Sequence, residues 1–232
     1  MNLITLVIPC YNELESLPTL ISKIQNSNNN INFLIVDNGS TDGTRKYLKK
    51  LETTLNKKIR VHYIDVNEGY GHGIFTGLKN CDTQFLGWIH GDLQFDFDSL
   101  EKAYTYIYQN KESTNILYKG IRIGRGFIDR FFSLFMGIIA SAVLGHKFYE
   151  VNAQPTIFSK ELINEIKDPP KDFSFDTYIF WLAKKHKYSF KRDSYLFPER
   201  EFGTSKWDIG LYSKISFSIQ LFKYFLKLRK LK

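Results

Sequence analysis

The chain has 232 residues, which suits one domain with at most a small appendage and is long enough to bury a core. Its 43% hydrophobic and 24% charged residues are an ordinary globular composition, which excludes a disordered chain. The net charge of +8, from 32 Lys and Arg against 24 Asp and Glu, favours an anionic partner such as a sugar nucleotide, a lipid phosphate, a membrane surface or nucleic acid.

The first apolar run, residues 3–8, reads as a short buried strand, and no basic leader precedes it, so no secretory signal is expected. Pro9-Cys10-Tyr11-Asn12-Glu13 breaks it. Residues 14–24 then carry Leu14, Leu17, Leu20, Ile21 and Ile24 at helical spacing. A second strand is predicted over 31–36, a polar turn over 37–43 and a helix over 44–55. A third strand is predicted over 59–64, then a glycine-rich turn over 69–73 and a helix to about residue 80. Residues 83–89 read as the fourth strand, ended by Gly91-Asp92. The order β-α-β-α-β-α-β predicts an α/β fold with a mostly parallel sheet and helices on both faces. The polar clusters at 9–13, 37–43, 67–73 and 90–94 each follow a strand, so they should gather at the one rim where such sheets bind ligands.

The second half is less regular and rich in Phe. A helix is predicted over 99–108, a strand over 115–121 and a basic loop over 120–130 that carries Arg122, Arg125 and Arg130. The apolar run 131–144 is 14 residues long, short of the roughly 18–20 needed to span a bilayer, and suits a buried or interfacial helix. Extended chain is predicted over 152–158, a helix over 175–185, a strand over 188–195, a charged loop over 198–206 and a basic, aromatic helix over 211–232. Cys10 and Cys81 make neither a disulfide framework nor a metal spacing, and are expected as small core residues in a reducing compartment.

Four segments carry a joint pattern: Val7-Ile8-Pro9-Cys10-Tyr11-Asn12-Glu13, Val36-Asp37-Asn38-Gly39-Ser40-Thr41-Asp42-Gly43-Thr44, residues 67–77 and residues 88–96. In this order they resemble the family-2 inverting glycosyltransferases of the GT-A (Rossmann-like) fold, over roughly residues 3–206. Within that family the chain is most similar to dolichyl- and polyprenyl-phosphate sugar synthases. The resemblance implies a UDP- or GDP-sugar donor bound by Pro9, Tyr11, Glu13, Asp37, Asn67, Gly71, Gly91 and Asp92. Chemistry agrees: a base N–H needs an acceptor, which Asp37 can supply, and Glu13 can accept from ribose hydroxyls. Asp42 and Thr44 can instead cap the next helix. The glycine run 69–73 follows the third strand and lacks the spacing of a dinucleotide fingerprint, so it reads either as a close approach to ligand or as a flexible helix start.

His90-Gly91-Asp92-Leu93-Gln94 stands where the family has its Asp-x-Asp metal motif, which implies Mg²⁺ or Mn²⁺ held by Asp92, Gln94 and His90. Alternate residues leaving a strand point the same way, so positions 90, 92 and 94 can converge on one ion. His90 replaces the family's first Asp, and imidazole suits Mn²⁺ better than Mg²⁺. Arg122, Arg125 and Arg130 lie where the synthases carry arginines for an acceptor phosphate, and Arg200-Glu201-Phe202-Gly203-Thr204-Ser205-Lys206 resembles the family's Arg-x-x-Gly-x-Ser-Lys segment. Arg200 and Lys206 are thereby candidates for leaving-group stabilisation and Ser205 for the acceptor phosphate. Asn152-Ala153-Gln154-Pro155 stands in place of an expected Asp-x-x-Ser-Gly stretch. Asp176 is a candidate base for a hydroxyl acceptor, whereas an ionised lipid phosphate needs none.

The last helix mixes Lys223, Lys227, Arg229, Lys230 and Lys232 with Phe217, Phe222, Tyr224 and Phe225, which reads as membrane-surface contact or as a docked helix with a solvated tail. Nucleic-acid binding is not expected, since no recognition fold accompanies the charge. The expected organisation is a transferase domain over 1–206, with a donor half over 1–120 and an acceptor half over 121–206, then a basic helix over 207–232. The expected setting is cytoplasmic and peripheral to a membrane. Two alternatives stay open: transfer to a glycan hydroxyl, with Asp176 as base, and a non-catalytic nucleotide-sugar-binding protein, for which His90 is the argument.

Overall fold

The computed structural model describes residues 2–124, 126–197 and 211–231. A seven-stranded sheet has the order β3-β2-β1-β4-β6-β5-β7. β1 (Ile4–Cys10), β2 (Ile31–Asn38), β3 (Ile59–Ile64) and β4 (Phe85–Trp88) are parallel, joined through α1 (Leu17–Asn26), α2 (Thr44–Leu51) and α3 (Tyr70–Lys79). α4 (Glu101–Gln109) leads to β5 (Ile116–Ile123), and α5 (Phe127–Leu144) leads to β6 (Thr156–Ser159). α6 (Ser174–Lys185), β7 (Ser189–Leu196) and α7 (Leu211–Arg229) complete the described chain. β6 lies antiparallel between β4 and β5, and β7 pairs parallel with β5. Two reversals restore direction, so β5 and β7 end at the same rim as β1, β2, β3 and β4.

The central strands β1, β2, β4 and β6 are buried on both faces, with successive side chains alternating across the sheet. Leu6, Ile8, Phe33 and Ile35 face a core shared with Leu17, Leu20 and Ile24 of α1, Leu48 of α2 and Ala103 and Ile107 of α4. Val7, Leu34, Val36, Leu86 and Trp88 face the opposite core, with Ile74 of α3, Leu144 of α5, Ile179 of α6 and Phe225 of α7. Cys10 and Cys81 are free and buried in these cores, and burial pushes the Cys81 thiol up to about 12.

Several expected boundaries shift. α1 starts at Leu17 rather than 14, with Pro18 in its first turn, where a missing N–H costs nothing. α2 stops at Leu51, whose carbonyl accepts from the Thr54 and Leu55 N–H groups instead of continuing a helix to 55. The basic loop expected over 120–130 is mostly not a loop. β5 runs on to Ile123 in register with Leu196, and α5 begins at Phe127. Arg122 is therefore a strand residue and Arg130 a helix residue. Gly120 does not break the strand: a Cβ there would lie 1.9 Å from the Gln154 carbonyl oxygen, so glycine is needed for close packing. α7 is docked through buried Leu221, Phe225 and Leu228, so Phe225 belongs to the core and not to an outward face.

Candidate active site

The loops after β1 and β2 are laced together at the rim. Asn12 N–H donates to Ser40 Oγ at 3.0 Å, and Thr41 N–H donates to Asn12 Oδ1 at 2.8 Å. Glu13 N–H donates to Thr44 Oγ1 at 3.0 Å, and Ser16 Oγ donates to the Glu13 carboxylate at 2.9 Å. Asp42 accepts from Leu14 N–H at 3.2 Å and Thr44 N–H at 3.0 Å, so its carboxylate serves the turn. Pro9, Tyr11 and Glu13 are each partly buried along this edge.

Register sets Cys10 of β1 beside Asp37 of β2 at the rim. The Asp37 carboxylate is fully buried, and it accepts from Ser40 N–H at 3.1 Å and Arg45 Nε at 2.5 Å. Asp37 raises the Arg45 guanidinium above its ordinary value. Arg45 also reaches Asp65 at 3.3 Å and the Ile64 carbonyl. Arg45 has no sequence signal beyond its position in the first turn after the Asp37 loop, and the sequence reading missed it.

The glycine-rich segment meets the protein's own chain. A Cβ on Gly71 would lie 2.4 Å from the Pro170 carbonyl oxygen, and Gly71 N–H donates to the Lys171 carbonyl at 2.7 Å. Gly69 has a φ of +118° and lies equally close to the Lys171 carbonyl. The close approach that Gly69 and Gly71 permit is thus taken by residues 170–172, and a Cβ on Gly73 would lie 2.9 Å from the Asn38 amide nitrogen. Asn67 accepts from Gly69 N–H at 2.8 Å and from the buried Asn38 amide at 3.4 Å, which fixes this loop beside the β2 end.

After β4 the chain turns. Leu93 has a φ of +61°, so residues 90, 92 and 94 do not continue the strand alternation. The turn still brings two of the three together: His90 Nδ1 lies 3.7 Å from Asp92 Oδ2. Gln94 enters through its backbone, whose N–H donates to Asp92 Oδ1 at 3.3 Å. Gly91 packs on Ile8 and Cys10, with a would-be Cβ 3.1 Å from Ile8. Among the described residues no three His, Cys, Asp or Glu side chains form a metal cluster. A facing imidazole and carboxylate suit a divalent cation that takes its other ligands from a bound diphosphate and water.

His90 is held from behind. Its backbone N–H donates to Gln154 Oε1, and its Nε2 lies 2.8 Å from the Tyr70 hydroxyl. Asp176, in the first turn of α6, is buried beside Tyr70 and 3.8 Å from Lys119 Nζ. Lys119 is buried in β5 and donates to the Ala153 carbonyl at 2.8 Å and Thr156 Oγ1 at 2.6 Å. Burial pushes the Lys119 ammonium down to about 7 and lifts the Asp176 carboxyl, and each opposes the other's shift. Burial also raises the Tyr70 phenol well above its ordinary value, so it stays a neutral hydroxyl. The sequence reading missed Tyr70 and Lys119. It left Asn152-Ala153-Gln154-Pro155 without a role, and that stretch supplies the Gln154 and Ala153 contacts.

Of the three expected acceptor arginines, Arg122 pairs through Nε with Glu150 at 2.7 Å and lies over the Phe197 ring. Arg130 is exposed on α5. Arg192 of β7 was not anticipated, and its guanidinium donates to the Tyr149, Gly120 and Glu150 carbonyls. Arg125, Arg200, Ser205 and Lys206 lie outside the described residues.

The glycosyl transferase family 2 domain matches residues 5–138. The chain therefore belongs to glycosyl transferase family 2, with the GT-A fold. It is similar to the UDP-N-acetylglucosamine–dolichyl-phosphate N-acetylglucosaminyltransferase of Methanococcus voltae, 37% identical over 92 residues, 34% of this chain and 36% of that protein. It is also similar to the undecaprenyl-phosphate 4-deoxy-4-formamido-L-arabinose transferase of Proteus mirabilis, 29% identical over 98 residues, 40% of this chain and 30% of that protein. The match thus spans about a third of either relative's length. Among solved structures, glucosyl-3-phosphoglycerate synthase from Mycobacterium tuberculosis in complex with Mn²⁺, UDP and glucosyl-3-phosphoglycerate superposes with a TM-score of 0.67 at 15% identity, covering 98% of this chain and 80% of that one.

Proposed function

We propose that the chain transfers a sugar from a UDP- or GDP-sugar to a polyprenyl or dolichyl phosphate at a membrane surface. The observation that carries the reading is the His90–Asp92 pair at the strand-end rim of a family 2 fold, beside the laced β1 and β2 loops. Glu13 and the Asp37–Arg45 pair flank the nucleoside position, where Asp37 accepts from the base N–H once Arg45 yields part of its hold. Asp92 and His90 would hold Mg²⁺ or Mn²⁺, which supplies charge neutralisation to the diphosphate leaving group. Arg200 and Lys206 add positive charge there as the sugar departs. Gly71 acts by packing the rim against residues 170–172 rather than by touching the donor.

The acceptor side has its own support. Asp176 is buried between Tyr70 and Lys119, which favours a nucleophile that arrives already ionised, and phosphate is one. Arg122, Arg125, Arg130 and Ser205 are the residues proposed to meet it. α5 leaves the rim directly after β5 and exposes Phe131, Leu134, Phe135 and Ile138 at helical spacing. The neighbouring α7 exposes Ile219, Phe222 and Leu226 together with Lys223 and Lys227. Among the described residues no helix is long and apolar enough to cross a membrane, so a peripheral contact through these faces is the proposed attachment. The test is nucleoside diphosphate release from a panel of UDP- and GDP-sugars with Mn²⁺, with and without undecaprenyl phosphate. Release that requires the lipid phosphate supports the reading; release only with a glycan acceptor replaces it with the hydroxyl reading, and no release with any pair argues for a binding protein.

A further inference from the structure

His90 is fixed by contacts that reach across four elements. The Tyr70 hydroxyl at the start of α3 lies 2.8 Å from His90 Nε2 and also faces the Asp176 carboxylate of α6. Asp176 Oδ1 is buried with no hydrogen-bond partner of its own, 3.8 Å from Lys119 Nζ of β5. The Tyr70 ring is locked, stacked on Phe173 at 4.3 Å and 10°, with His90 edge-on at 5.5 Å and 76°. On the far side of the imidazole, Nδ1 faces Asp92 Oδ2 at 3.7 Å.

A tyrosine hydroxyl has one proton to donate and an oxygen that accepts, while a neutral imidazole has one N–H and one lone pair. If Tyr70 donates to Asp176, its oxygen accepts from His90, and the imidazole proton sits on Nε2. Nδ1 then turns a lone pair toward a carboxylate. The 3.7 Å separation is too long for a hydrogen bond, yet within reach of one cation whose ligands lie roughly 2.1 Å away.

We propose that Tyr70 is a positioning residue that sets His90 as a metal ligand, accepting from Nε2–H and donating to Asp176 so that Nδ1 and Asp92 Oδ2 face a shared divalent cation. Asp176 and Lys119 form the outer support, in the way carboxylates orient metal-binding histidines in general. The proposal rests on the reading of His90 and Asp92 as the cation pair, and it explains how a histidine serves where the family has an aspartate.

The test measures Mn²⁺ binding directly, by the electron paramagnetic resonance signal of the free ion. Wild type, Tyr70→Phe and His90→Ala are compared with Mn²⁺ alone and with added UDP or GDP. Tyr70→Phe keeps the ring stack and is expected to weaken Mn²⁺ by about 10–100-fold, and His90→Ala by at least as much. Long-range ¹H–¹⁵N correlation on the metal-free wild type, which depends on no variant folding, should report the Nε2–H tautomer. Wild-type Mn²⁺ affinity in either variant, or an Nδ1–H tautomer, overturns the proposal. A wild type that binds UDP or GDP but no Mn²⁺ overturns it while leaving the donor site standing. A wild type that binds neither overturns both.

Discussion

The two sides of the rim hold their polar groups in different ways. On the side proposed to take the donor, Asn12 and Asp42 are satisfied by backbone N–H groups and hydroxyls of two adjoining loops. On the side proposed to take the acceptor, Lys119, Asp176, Arg122 and Glu150 are buried or half-buried groups whose partners come from distant parts of the chain. Apart from the buried Asp37–Arg45 pair, the first arrangement consists of single hydrogen bonds between two loops, each cheap to lose. The second needs the whole domain assembled, because an unpaired buried charge is costly. The loops after β1 and β2 can therefore vary, while the groups around Lys119 and Asp176 are tied to the core.

Substitutions can break this contrast in decreasing steps. Asp92→Ala should remove charge stabilisation worth several kcal/mol and lower transfer on the order of 10³-fold or more, with thermal unfolding little changed. Lost activity together with a collapsed melting temperature would instead mark Asp92 as structural. Lys119→Met should cost about 3–5 kcal/mol in urea unfolding, since it leaves Asp176 buried without its cation. Adding Asp176→Leu to that variant should recover part of the loss, and strict additivity would count against a coupled pair. Phe131→Ser with Phe135→Ser should weaken liposome sedimentation by roughly 1.5–3 kcal/mol per ring while leaving nucleotide binding unaltered. Equal sedimentation would assign the α5 face to something other than a membrane. Asp42→Ala should cost only about 1 kcal/mol in the same urea experiment, the value of a lost turn hydrogen bond. A cost as large as that of Lys119→Met would erase the contrast between the two sides.

The same contrast explains what was legible in the sequence. The first four strands and three helices are local apolar patterns, and the polar clusters after them mark the rim without any partner being known. His90 and Asp92 were readable as a pair because they are two residues apart, whereas the positive φ at Leu93 takes Gln94 out of the expected alternation. The packing of Gly71 on the Pro170 carbonyl was not legible, because Pro170 is 99 residues away in sequence. Arg122 and Arg130 looked like one basic loop because Gly120 and Gly124 suggest a break, and only the register with β7 shows that the strand continues. Lys119, Tyr70 and Gln154 carry no pattern of their own. Their roles exist only where β5, α3 and the 152–155 stretch meet.

The central claim is that the β1, β2 and β4 ends form the donor site. Titrating UDP and GDP with Mn²⁺ into ¹⁵N-labelled protein tests it most directly. The account predicts that the largest amide shifts fall on residues 11–13, 37–45 and 90–94, with Mn²⁺ broadening centred on His90 and Asp92. Shifts that gather instead on the open concavity of about 430 Å³ lined by Lys102, Tyr106, Lys191 and Asp193, with residues 90–94 silent, would contradict it.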